Sequence, residues 1–282
     1  MNAIEVNGLG KTYPGFSLKN VSFTLAEGCI MGLVGENGAG KSTLIRLIMG
    51  AAQADFGSAQ VLGQEVTAPE FTRTKDDIGV VLDEAHFPDG LNAVQLGRIF
   101  SSVYTRWDPG VYGTYLDKLE LPAKKRIKAY SRGMRMKLAL AAALSHDAKL
   151  LVLDEPTGGL DPMVRDEILD ILEDFTRRED RTVLISSHIV SDLEKLCDYI
   201  AFLHRGELLL FQEKDRLLEE YAIVKLPERE FLNVPPEAVR GVRRGKYGVE
   251  ALVERRLVRP DLPLEKPCLE EVIVFFARGD RQ

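Results

Sequence analysis

The apolar positions of this chain follow two rhythms. Residues 4–6 and 21–25 alternate apolar with polar, the period of a half-buried strand. Residues 29–34, 78–82 and 150–153 are short apolar runs, the pattern of strands buried on both faces of a parallel sheet, and Thr182-Val183-Leu184-Ile185-Ser186 reads as another such strand. A short strand is also expected around residues 59–62. Elsewhere the period lengthens. Residues 44–49 repeat at helical spacing, and helical periodicity dominates from about residue 92 to 145. Asp108 before Pro109 reads as a helix start, and Asp161 before Pro162 opens another helix through roughly residue 178. Ser131 is placed to cap a helix whose apolar residues Met134, Leu138, Ala141 and Ala142 recur at helical spacing. Residues 199–203 and 207–211, joined at Arg205 and Gly206, predict a hairpin.

Buried strands alternating with helices imply an α/β fold with a largely parallel sheet. The early alternating strands add an antiparallel β subdomain, and the helical stretch adds a helical subdomain over about residues 85–146. From residue 215 onward proline density rises (Pro227, Pro235, Pro236, Pro260, Pro263, Pro267) and the pattern weakens. A main domain over residues 1–214 is therefore expected beside a separate small α+β extension over 215–282, closed by an apolar helix at 269–277. Ligands of open parallel sheets sit at the carboxyl ends of the strands. Gly35, Asp83, Asp154 and His188 each lie at or just past such an end.

One stretch turns this outline into chemistry. Gly35-Glu36-Asn37-Gly38-Ala39-Gly40-Lys41-Ser42-Thr43 lies between a predicted strand and a predicted helix and fits Gly-x-x-x-x-Gly-Lys-[Ser/Thr], the phosphate-cradling P-loop. Gly35, Gly38 and Gly40 let the backbone fold tightly around an anion and aim N–H groups at it. The helix that follows adds unpaired N–H groups and the positive end of its dipole. Lys41 is placed for the β- and γ-phosphates, and the Ser42 hydroxyl for Mg²⁺. The whole cradle spans Gly35, Asn37, Gly38, Ala39, Gly40, Lys41, Ser42 and Thr43. The fold is thereby narrowed to a P-loop NTPase core.

Two further carboxylates fit the same pocket. Asp154 ends an apolar run and is expected at a strand terminus within reach of the metal held by Ser42. Glu155, one residue on, is placed to orient or deprotonate a water attacking the γ-phosphorus. His188 has two readings, a hydrogen bond to the γ-phosphate or a structural role after its strand. Tyr13, in a turn sequence, either stacks on a base or packs a hairpin.

Composition sets limits. The 282 residues suggest one large domain or one domain with a smaller companion, and 45% apolar content suits a packed core. The longest apolar run, residues 138–144, falls far short of the ~20 residues a membrane span needs. The N-terminus lacks a signal-peptide pattern, so a cytoplasmic location is expected. Cys29, Cys197 and Cys268 lie in or beside apolar runs and are expected to be buried structural thiols. A net charge of −6 gives no electrostatic case for nucleic acid, and none is expected as a partner. The basic clusters at 124–126 and at Arg243, Arg244 and Lys246 read as solvated surface.

The order and spacing of Lys41 and Ser42, Asp154 and Glu155, Gly159-Leu160-Asp161, and His188 resemble those of ATP-binding cassette proteins. Tyr130-Ser131-Arg132-Gly133-Met134 resembles that family's signature loop, commonly Leu-Ser-Gly-Gly-Gln. The resemblance covers residues 1 to about 215. It implies that Tyr13 stacks on adenine and that Asp161 is the acid at the subunit contact. It implies also that two cassettes, in a homodimer or heterodimer, sandwich two ATP molecules head to tail. Ser131 and Gly133 of one cassette then face the P-loop of the other. The helix at 269–277 resembles the closing helix of export-type cassettes that work with a separate transmembrane permease, on the inner face of the membrane. The segment after Asp83 to about Arg106 is expected to pass movement to that permease.

Two positions depart from the family pattern. Arg132 stands where the signature loop usually has glycine, and Met134 where it usually has glutamine. Arg132 either adds a cation near the γ-phosphate or points to solvent. Asp83-Glu84 stands where the family has a glutamine near Mg²⁺, and Asp83 is expected to take its place as a metal ligand and slow hydrolysis. Competing functions are a soluble cassette ATPase acting on nucleic acid or ribosomes, and a non-hydrolysing nucleotide-binding module. One P-loop, no internal repeat and no sustained heptads weigh against the first, and intact Glu155 and His188 against the second.

Overall fold

The computed structural model describes residues 1–83, 87–246 and 248–279. Glu84 and the start of the expected polar loop at His86 lie outside the described residues. β1 (Asn2–Tyr13) and β2 (Phe16–Ala26) form a long hairpin, and β3 (Ile30–Val34) leads through the glycine loop into α1 (Lys41–Ile48). β4 (Phe56–Val61), β5 (Gln64–Glu65), α2 (Phe71–Thr74) and β6 (Ile78–Val81) follow. The helical stretch resolves into α3 (Ala93–Phe100), α4 (Pro109–Lys118) and α5 (Arg132–Leu144). Then come β7 (Leu150–Asp154), α6 (Pro162–Thr176), β8 (Thr182–Ser187), α7 (Val190–Leu196), β9 (Tyr199–His204) and β10 (Glu207–Glu213). The C-terminal unit holds α8 (Lys214–Glu220), β11 (Tyr221–Leu226), α9 (Glu228–Phe231), β12 (Val239–Gly245), β13 (Gly248–Glu254), β14 (Leu264–Glu265) and α10 (Leu269–Gly279).

The helix starts follow their sequence signals. Asp108 accepts from the Gly110 and Val111 N–H groups, and Asn92 and Gln95 form a reciprocal capping box. Ser131 accepts from Met134 N at 3.2 Å, and Asp161 from Val164 N at 3.1 Å.

The central sheet has six strands in the order β10-β9-β3-β8-β7-β6, parallel except for β10. Its register places Val34 level with Ser187, and Asp154 level with Ser186. The carboxyl ends of β3, β8 and β7 therefore finish together. With β8 between them, β3 and β7 stand ~10 Å apart, close enough for their loops to meet.

Each face of this sheet is covered. On one face α1 contributes Leu44, Ile45, Leu47 and Ile48 to a core shared with Met31 and Leu33 and with Ile4 and Val6 of the antiparallel sheet β2-β1-β4-β5. On the other, Leu138, Leu140, Ile168, Ile171 and Leu193 of α5, α6 and α7 pack against Leu151, Leu153, Val183 and Ile185. The β9–β10 turn adds a brace. Gly206 (φ 82°) donates to Ala39 O at 3.0 Å and accepts from Lys19 N at 2.7 Å, and a Cβ there would lie 1.9 Å from Ser17 O. Glycine is required at that position because two backbones close on it.

The C-terminal unit is less detached than its sequence suggests. Its sheet, β12-β13-β11-β14, has its own small core around Val224, Ala251 and Val253. Yet Leu269, Val272, Ile273 and Phe275 of α10 join the main core that also holds Leu193 and Cys197. Leu269 N also donates to Glu194 Oε2 at 3.1 Å. The cysteine expectation holds for Cys197, which is buried, but Cys29 is half-buried and Cys268 is exposed ahead of α10. The apolar stretch after Cys268 turns inward at Leu269 and leaves the thiol outside.

Because α10 shares the main core, Leu269→Ala is expected to lower stability by about 2–4 kcal/mol in a single cooperative unfolding transition. Denaturant titration followed by circular dichroism checks this; two transitions would mean that the units unfold separately.

Candidate active site

The loop after β3 is built by close backbone approaches. A Cβ on Gly35 would lie 2.4 Å from Leu203 O, and one on Gly40 2.7 Å from the Phe16 ring. Gly38 and Gly40 have φ of 83° and 110°, the left-handed region, so the chain curls before entering α1. Ala39 N donates to Glu36 O at 3.0 Å, closing the turn. Asn37 and Gly38 are exposed at its tip, while Ala39 and Lys41 are buried, Ser42 is exposed and Thr43 is half-buried.

Lys41 is the most constrained cation in this loop. Its side chain is 5% exposed; Nζ donates to Gly35 O at 2.7 Å and stands 2.9 Å from Glu155 Oε1. A buried ammonium costs several kcal/mol to desolvate, and a carboxylate at this distance offsets that cost. Glu155 in turn takes the His188 ring on its other oxygen, with Nδ1 2.6 Å from Oε2 and the His188 N–H at 3.3 Å. An ionised carboxylate only accepts, so Nδ1 carries the proton. Burial by itself would raise the Glu155 carboxyl, but Lys41 and then His188 outweigh it and hold it below the usual carboxylate range.

Glu155 also has a backbone in the left-handed region, φ 51°, which costs a non-glycine residue ~1–3 kcal/mol. Ser186 holds it there. The Ser186 hydroxyl accepts from Glu155 N at 3.0 Å and donates to Asp154 Oδ1 at 2.6 Å, and Ser186 O accepts from Glu155 N at 3.2 Å. One buried serine thus orients both acids. Sequence reading passed over this role, although a serine closing an apolar run was a usable signal, since a fully buried hydroxyl needs a partner. It also passed over Phe16, whose ring abuts Gly40.

The other expected site residues lie elsewhere. Ser131, Gly133 and Asp161 line a second cleft of about 430 Å³, which includes none of residues 35–43. Tyr13 ends β1 beside the turn to Phe16, is 39% exposed and has Lys11 Nζ 5.7 Å from its ring centre. Tyr13 pairs with Phe16 across the end of the hairpin, and the Phe16 ring abuts Gly40 of the P-loop. Asp83 has a partner that the sequence did not suggest. Its Oδ1 accepts from Arg132 at 2.7 Å, so the two departures from the expected motif pair with each other. The half-exposed Arg132 guanidinium thus has an anionic partner that neither expectation named, and one Asp83 oxygen is engaged by it.

The donor set suits a small hard cation. Ser42 supplies a hydroxyl, and Asp154 a carboxylate fixed by Ser186, the oxygen ligands that Mg²⁺ takes alongside phosphates.

Comparison with known proteins agrees in sequence and in shape. The ABC transporter family matches residues 18–158. An uncharacterized ABC transporter ATP-binding protein of Bacillus subtilis (strain 168), YhcH, is 36% identical over 225 residues, covering 77% of this chain and 72% of its own length. The Nod factor export ATP-binding protein I of Rhizobium leguminosarum bv. viciae is 38% identical over 226 residues, covering 77% and 71%. A solved ATP-binding subunit of an ABC transporter superposes with a TM-score of 0.69 at 24% identity, over 77% of this chain and 92% of that one.

The Glu155 pairing carries a pH signature. Its folded carboxyl is held low, so the stability it contributes is fully present above about pH 4.3 and drains as the pH falls through the lower folded value. Denaturant titrations of the wild-type and Glu155→Gln chains are expected to differ at pH 7 and to converge on acidification, because a protonated glutamic acid resembles glutamine.

Proposed function

This chain belongs to the ABC transporter family, and from that premise we propose that it is the ATP-hydrolysing subunit of an exporter whose membrane-spanning permease is a separate chain. The observation that carries this reading is the contact of Lys41 with Glu155, which joins a phosphate-binding loop to a candidate base. The loop glycines and Lys41 bind the β- and γ-phosphates. Glu155 orients the attacking water and takes its proton, a role suited to a carboxylate kept ionised at neutral pH. His188, held by Glu155 through Nδ1, presents its other ring nitrogen for the γ-phosphate. Ser42 and Asp154 would hold Mg²⁺, which when bound neutralises charge on the β- and γ-oxygens. Tyr13 stacks on adenine.

Two copies are needed to complete the site. Ser131, Gly133 and Asp161 sit in a cleft apart from the P-loop, and exposed Met163 (83%) stands beside Asp161. A serine-capped helix start facing a neighbour's phosphate is an anion contact in search of its ligand. The sandwich of two cassettes, identical or not, supplies it.

The permease reading rests on a different surface. A groove of about 1210 Å³ is lined by none of the loop glycines. Ile45 and Met49 of α1, Val80 and Leu82 at the end of β6, and Val103 and Tyr104 after α3 line it, with Leu82 50% and Val103 63% exposed. An apolar trough between the sheet edge and the helical stretch suits a short amphipathic helix from a membrane subunit. Among the described residues no helix is long and apolar enough to cross a membrane, so attachment at the inner face would come through that subunit. The export direction is supported by the Nod factor export relative.

Glu155→Gln is expected to lower ATP turnover by about 10²–10⁴-fold while keeping ATP affinity within a few-fold. Steady-state phosphate release and nucleotide binding measure this; equal turnover in the two proteins would mean a binding module. Val103→Asp is expected to reduce recovery of the permease with the chain by roughly tenfold, since a charge then faces the apolar partner.

A further inference from the structure

Arg132 sits at a junction. It is the first residue of α5, next to the capping Ser131. Its guanidinium pairs with Asp83 and also crosses the glycine turn after Glu155: Cβ atoms on Gly159 and Gly158 would lie 2.8 and 3.8 Å from its nitrogens. One turn along α5, Arg135 pairs with Asp89 at 3.2 Å. The end of β6 and residue 89 are thus both tied to the start of α5 by arginine–aspartate pairs. Lys128 N donates to Asp89 O and Ile127 N to Leu91 O, which extends the same strap along the loop leading into that helix.

The Arg132–Asp83 pair is built to be exchanged. Both side chains are about half exposed, 53% and 49%, so water screens their attraction and little stability depends on it. A guanidinium binds phosphate at least as well as carboxylate, in a forked geometry. The cleft that Arg132 lines with Ser131 and Gly133 is the one assigned above to a second copy's nucleotide. Arg132 therefore has two anions within its compass: its own Asp83, and the terminal phosphate of a nucleoside triphosphate held on the other protomer.

We propose that Arg132 is a phosphate-binding residue acting across the dimer, and that Asp83 restrains it until a triphosphate on the second copy takes the guanidinium away. The proposal rests on the two-copy reading and deepens it. Exchange delivers a positive charge to the γ-phosphate that the neighbour's Lys41 does not supply. It also unties the end of β6 at Leu82, which lines the groove assigned to the permease. Nucleotide on one protomer would in this way loosen the permease-facing edge of the other.

The test measures assembly rather than turnover. Analytical ultracentrifugation of the Glu155→Gln chain with Mg²⁺ and increasing ATP gives the concentration for half-dimerisation. Adding Asp83→Asn frees Arg132 and is expected to lower that concentration about threefold to fivefold, the scale of an exposed ion pair. Adding Arg132→Gln instead is expected to raise it roughly tenfold or more, with Arg132→Lys recovering part of the loss. The chain carrying Asp83→Asn and Arg132→Gln together should match Arg132→Gln, because there is then no cation to release. ADP should give no dimer in any of them. If Asp83→Asn leaves the midpoint unchanged, or raises it in step with a greater Mg²⁺ requirement, the restraint does not exist and Asp83 serves otherwise. A normal midpoint for Arg132→Gln also overturns the proposal while leaving the two-copy reading standing. Should the parent Glu155→Gln chain stay monomeric in ATP, the two-copy reading itself fails and the proposal goes with it.

Discussion

A buried ammonium held against a buried carboxylate governs this molecule. Lys41 comes from the loop after β3 and Glu155 from the end of β7, and β8 runs between them. The 2.9 Å approach requires three strand ends to finish at one level, which the parallel register secures. It further requires Glu155 to accept a left-handed backbone, which two hydrogen bonds to Ser186 maintain. The strain lies where charge must be aimed, and the packed sheet carries it.

Around that pairing, the two faces of the sheet do different work. The face bearing α1 is closed by a second sheet, so the P-loop is clamped between β2, the β9–β10 turn and the central strands. That rigidity suits a loop that must present several N–H groups to one anion. The other face carries α5, α6 and α7, and their starts at Arg132, Pro162 and Val190 gather near the carboxyl ends of the strands. The exposed ion pairs of Arg132 and Arg135 tie this face to the segment after β6. Weak, solvated contacts are where a structure can rearrange without disturbing its core.

The C-terminal unit shows how a small domain can be anchored without losing its own core. Its four-stranded sheet packs on itself, while α10 turns its apolar side to α7 and α8. The helix contributes to the main core and packs against α7, and thereby ties the extension to the element that follows His188.

Much of this was legible in the sequence, because local rules and burial acted together. Period-two runs, unbroken apolar runs, acids and serines before helices, and glycines around Lys41 each specify their own few residues, and the structure follows them at Asp108, Ser131, Asp161 and Gly206. Asp154, Glu155 and His188 could be placed near the P-loop because strand ends in a parallel sheet share a level. What the sequence could not convey were partners chosen across space. That Ser186 serves two acids, that Asp83 answers Arg132 49 positions away, and that α10 belongs to the main core depend on which surfaces meet after the sheet closes. Neither side chain of the Asp83–Arg132 pair has a local pattern that names the other; each is a solvated charge until the strand order sets β6 beside β7 and α5 over both.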